Sequence, residues 1–118
     1  MVKKASDLTQ RAEQPCVGFI TAPSLEVARE LARELLKHES VACANLIPGI
    51  ESVYRWEGKV ETAQEILLMV KTTVASQSVV IDIVESEHPY DVPECIFLEI
   101  SNGHSPYLNW LQQEVRKV

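Results

Sequence analysis

Two residues carry side chains suited to metal chemistry and stand at informative places, His88 and Cys43. His88 follows a helical apolar pattern and precedes Pro89, so its imidazole can present a nitrogen to a borderline metal such as copper or zinc. A histidine at the end of a helix also interacts favourably with the last helical carbonyls, and both roles stay open. Cys43 begins a β-like run. A thiolate there would supply the soft character that copper(I) prefers, whereas a lone cysteine in a strand is as readily a small buried hydrophobe.

The remaining cysteines, Cys16 and Cys95, complete an odd set of three with no CxxC spacing. That set suits neither a disulfide framework nor a structural zinc site, and it points to a reducing compartment, so a cytoplasmic location is expected. Other chemistries find little support. With glycine only at 18, 49, 58 and 103, the chain has no glycine-rich phosphate cradle. Thr21-Ala22-Pro23-Ser24 opens a helix where an acylphosphatase-like enzyme would need an anion-binding loop with an arginine, and no Ser, His and Asp set has a nucleophile's context. The expectation is a protein that is not an enzyme. A net charge of -6 argues against a phosphate-backbone partner. The run Glu65 to Lys71 also lacks the stacking aromatics of an RNA-binding sheet, so no nucleic acid is expected.

The elements that must hold these residues can be read from periodicity. In 118 residues with 46% apolar content there is room for one core, and a single domain over residues 16–118 is expected. Residues 1–15 read as a flexible polar arm. Met1 to Gln14 has no apolar run, so neither a secretory signal nor a membrane anchor is expected there. Cys16 to Ala22 suits a buried strand stopped by Pro23. Ser24 then caps a helix to about His38, with Leu25, Ala28, Leu31, Ala32, Leu35 and Leu36 at helical spacing.

From Val41 to Trp56 the pattern is β-like, with a bend or bulge at Pro48 and Gly49. Gly58 and Lys59 turn the chain into a second arm, Gln64 to Thr72, which is apolar on both faces. Thr73 or Ser76 can cap a second helix whose stripe is Val79, Val80, Ile83 and Val84. Cys95 to Ile100 reads as a fourth strand, and Ser105-Pro106 opens a last helix bearing Leu108, Leu111 and Val115. The order is βαββαβ plus a C-terminal helix, a ferredoxin-like α+β arrangement with two helices on one face of an antiparallel sheet. The other face also carries large apolar residues. Further copies of the chain are expected to cover it, because an exposed apolar sheet and a long hairpin arm invite pairing between protomers.

Four stretches together resemble the CutA family: Val41 to Gly49, Tyr54 to Lys59, His88 to Glu94, and Tyr107 to Trp110. They occur in the family's order and the resemblance spans about residues 16 to 116. It implies a homotrimer of ferredoxin-like protomers, PII-like in architecture, linked to tolerance of copper and other divalent metals, with no established reaction and no tightly bound cofactor. The implied ligand set is His88, Cys43 and Glu87. Glu87 supplies an oxygen where some relatives have a second histidine, and Ile20 stands where family copper sites draw on a cysteine, so any copper site is expected to be weak or altered. Tyr54, Trp56, Lys71, Glu94, Tyr107 and Trp110 are expected at clefts between subunits, the aromatics mainly as packing anchors. A PII-like regulatory module, binding a small molecule or a protein partner at those clefts, is the alternative.

Overall fold

A computed structural model describes residues 10–117. The first strand, β1 (Pro15–Ala22), forms where Val, Ile and Phe run up to Pro23. Ser24 ends the extended stretch and its hydroxyl accepts the Val27 amide at 3.2 Å, starting α1 (Leu25–Lys37). The apolar stripe of α1 buries Ala28, Leu31, Ala32 and Leu35. Two long strands follow, β2 (Cys43–Trp56) and β3 (Lys59–Thr73), joined at Glu57 and Gly58, both with positive φ. A turn then leads to α2 (Gln77–Glu87), β4 (Cys95–Glu99) and α3 (Ser105–Glu114).

The sheet order is β2-β3-β1-β4 and every neighbouring pair is antiparallel. This is the ferredoxin-like topology, with β3 lying between the first two strands in chain order. A register shift between Ile47 and Ile50 marks the expected bulge, where Gly49 has φ 80°. At about 3.3 Å per residue, strands of this length reach well past the helices, and they set the molecule's long dimension of 48 Å.

Alternation divides the sheet into two faces. Ile20, Ala22, Ile66, Leu68 and Val70 meet α1 and α2 in the core, joined by Val80, Ile83 and Val84 of α2. On the opposite face Ile47, Ile96 and Leu98 stay exposed, with Leu98 at 62% and Ile96 at 56%. The greasy second face expected from the sequence is thus present. Leu111 and Val115 of the C-terminal segment are buried outside the main core, where α3 meets β1 and β3.

Several boundaries differ from the sequence pattern. Ser76 occupies the cap position of α2 but makes no side-chain cap bond, and its buried hydroxyl has no partner among the described residues. His104 caps α3 in place of Ser105, which is the first helical residue. Lys59 belongs to β3 and not to the turn. The arm expected over residues 1–15 falls partly on residues 1–9, outside the described residues, while its remainder is tied down. Gln14 donates to the Ile100 carbonyl at 2.8 Å, Arg11 pairs with Glu99, and Pro15 pairs with Thr73 in the sheet.

Candidate functional site

The long hairpin and the loop between α2 and β4 enclose a cleft of about 730 Å³. Ser52, Tyr54 and Trp56 alternate along β2 and line one wall, while Pro89, Tyr90, Asp91, Val92 and Glu94 line the other. Two-residue spacing is what puts both aromatics on one face. Glu65 and Thr21, neighbours on that face through β3 and β1, complete the lining.

Glu65 is only 7% exposed. The Tyr90 hydroxyl donates to its Oε2 at 3.2 Å. Burial raises the Tyr90 phenol above its ordinary value, and the Glu65 charge and hydrogen bond add to the rise, so Tyr90 stays a neutral donor near neutral pH. Sequence reasoning missed Glu65 and Tyr90 as a pair. The available signal was a carboxylate on the same strand face as Leu67 and Met69.

His88 lies behind this loop rather than in the cleft. It is 7% exposed, and its ring centroid is 4.7 Å from that of Tyr90. Its Nε2 is 2.7 Å from the Thr21 carbonyl oxygen, and its Nδ1 is 3.1 Å from the Tyr90 amide nitrogen. A carbonyl only accepts and an amide N–H only donates, so Nε2 carries the proton and the Nδ1 lone pair is used. No ring nitrogen remains for a metal. The helix-end role also needs revision. The His88 amide bonds to the Val84 carbonyl, but the imidazole fastens the loop to β1 instead of capping α2.

Cys43 is at the other end of the sheet. It pairs with Lys71 in the register, whereas Thr21, which holds His88, pairs with Leu67. Four residues along β3 separate the two places, about 13 Å at strand spacing. Glu87 is exposed at the end of α2. The expected trio His88, Cys43 and Glu87 is therefore not gathered within one chain. Among the described residues no three His, Cys, Asp or Glu side chains are placed to hold a metal ion. A closed metal site does not fit this single chain.

The expected cleft residues also divide. Tyr54, Trp56 and Glu94 share the cleft just described, while Tyr107, Trp110 and Lys71 group with Cys43. Tyr107 and Trp110 pack with ring centroids 5.5 Å apart. Tyr107 senses Cys43 electrostatically, although burial is the larger cause of its raised pKa. Lys71 hydrogen-bonds Asn45, and Cys43 makes one long contact, 3.7 Å, to the same amide oxygen. Cys43 and Cys95 are both part-exposed and Cys16 is buried; the Cys43 sulfur makes only the one long contact to Asn45. Burial pushes Cys95 up to about 11, with Glu85 and Glu94 adding to it. It raises Cys16 as well, against a hydrogen bond from Gln77. Both are held as thiols near neutral pH.

Comparison with known proteins agrees with this geometry. The family model described as CutA1 divalent ion tolerance protein matches residues 16–114. The "Divalent-cation tolerance protein CutA" of Thermus thermophilus is 45% identical over 97 residues, covering 82% of this chain and 94% of that protein. Human "Protein CutA" is 43% identical over 101 residues, 86% of this chain, and the chain spans 56% of the human protein's length. Among solved structures, CutA1 from Oryza sativa has a TM-score of 0.86 at 41% identity, covering 89% of this chain and 96% of that one. A structure described as the periplasmic divalent cation tolerance protein CutA from Archaeoglobus fulgidus has a TM-score of 0.83 at 37% identity, over 86% and 99% of the two chains. With the family model covering most of its length and these folds superposing, the chain belongs to the CutA1 divalent ion tolerance family.

Proposed function

We propose that this chain serves tolerance of divalent metals, copper among them, as a homotrimer that binds metal weakly and catalyses no reaction. The observation that carries the reading is the family match over residues 16–114, with relatives named for divalent-cation tolerance. Assembly is supported by the apolar face of Ile47, Ile96 and Leu98, which water meets in a lone chain. Weak binding follows from the donor set. Cys43 offers a soft, accessible sulfur, while Ile20 in place of a cysteine, the occupied ring of His88 and the scattered carboxylates leave it without a second metal ligand among the described residues. Any tighter site must borrow ligands from another copy or from water.

A cytoplasmic location is supported by the three free cysteines. The similar protein from Archaeoglobus fulgidus is described as periplasmic. Among the described residues no helix is long and apolar enough to cross a membrane. Titrating copper(I) into metal-free assembled protein tests the binding claim directly. The affinity is expected to fall on Cys43→Ser, and an unchanged affinity would contradict it. Growth of a strain lacking this protein in raised copper, with and without the restored chain, tests the tolerance role.

A second reading, a regulatory module that binds a small molecule at clefts, is favoured by one observation: the cleft holding Tyr54, Trp56, Glu65 and Glu94. A ligand binding there would raise the thermal midpoint of the native protein, which a screen of nucleotides and metabolite classes would detect.

A further inference from the structure

We propose that the cleft between the hairpin and the α2-β4 loop binds a small organic ammonium ion. This rests on the ligand-binding reading of the cleft and is independent of metal tolerance.

The floor carries the main argument. Glu65 is more than nine-tenths buried, yet among the described residues no Lys, Arg or His forms an ion pair with it. Its side-chain partner, the Tyr90 hydroxyl, is a neutral donor that reaches only Oε2. A carboxylate withdrawn from water without a positive partner is costly, and a cation seated beside it would remove that cost. The lining adds two more carboxylates, Asp91 and Glu94, and no basic residue.

The walls decide which cation. Tyr54, Trp56 and Tyr90 all line the space and, in the single chain, are between 38% and 50% exposed, so their rings face whatever occupies it. Aromatic faces attract organic ammonium groups through the ring quadrupole while burying their methyl or methylene carbons. A hydrated divalent metal instead needs several oxygen or nitrogen ligands converging at about 2.0–2.6 Å, and no such convergence exists among the described residues. Apolar neighbours Val53, Val92 and Pro89 likewise suit carbon better than a hydration shell. The cleft, about 730 Å³, is large enough for a small molecule of this kind.

The test uses the full-length protein in its native assembly and three probes: choline, its uncharged isostere 3,3-dimethyl-1-butanol, and magnesium ion. Binding is followed by Trp fluorescence and by amide chemical shifts. Choline is expected to shift the signals of Ser52, Tyr54, Trp56, Glu65 and Tyr90 in a saturable way, with the isostere weaker by about tenfold or more. Glu65→Gln, which keeps the side chain's shape, and Trp56→Ala, at an exposed position, should each weaken choline by a similar factor. Equal binding of the isostere would overturn the proposal by reducing the cleft to an apolar pocket. Shifts with magnesium alone would make it a metal site. No shift with any probe would show that the assembled protein fills the cleft itself, and would also overturn it.

Discussion

Cys43 and His88 exchange importance once their surroundings are known. A buried imidazole with both nitrogens engaged is a fastener, so His88→Ala should cost about 2 kcal/mol, within the range for unmaking buried hydrogen bonds. Denaturant unfolding would measure it, and copper affinity of the folded variant should stay the same. Cys43→Ser should behave in the opposite manner, with unchanged stability and copper(I) affinity reduced by about tenfold or more, a thiolate being the preferred donor. Cys95 supplies a pH prediction. Its thiol ionises near about 11 in the folded chain against an ordinary value of 9.0. Its contribution to stability is therefore complete below pH 9 and is lost as pH rises from there through about 11. Unfolding measured across that interval in wild type and Cys95→Ala should show a steeper fall in the wild type. The residue types were legible in the sequence, but their roles were not. The Thr21 carbonyl that claims His88 lies 67 residues away in the chain, and no local pattern announces such a partner.

At the scale of elements the sequence was more informative, because strands and helices obey local rules. The Ser24 cap, the Leu31 and Leu35 stripe and the bulge at Pro48-Gly49 all stand where residue type required them. The last helix begins at Ser105, one residue earlier than expected, since the extended backbone of His104 takes the cap position. Gly18 shows what strand alternation cannot reveal. A Cβ placed there would sit 2.8 Å from both the Phe97 ring and Val70, so the glycine is what lets that ring lie across β1. Gly18→Ala should lower stability by about 1–3 kcal/mol through overpacking, which a thermal or urea transition would register. The cleft was legible in part. Tyr54, Trp56 and Glu94 were expected at a cleft from the family resemblance, whereas Glu65 and Tyr90 acquire meaning only when the bulged hairpin and the α2-β4 loop bring them together.

For the whole molecule, the decisive feature is a sheet with α1 and α2 on one side and Ile47, Ile96 and Leu98 bare on the other. Periodicity exposed that imbalance in advance, because both faces of the second hairpin arm are apolar. The number of copies that cover it came from family resemblance and not from any spacing. A charge placed on the bare face should prevent burial, so Leu98→Asp is expected to dissociate the assembly while leaving the helix-side core intact. Circular dichroism would check the second half of that statement. The most direct measurement is the mass of the unmodified protein in solution by sedimentation equilibrium at micromolar concentration. Three chains of 13.2 kDa, about 40 kDa, are predicted for a closed ring. A single well-behaved species of 13.2 kDa, soluble with its apolar face in water, would contradict the account.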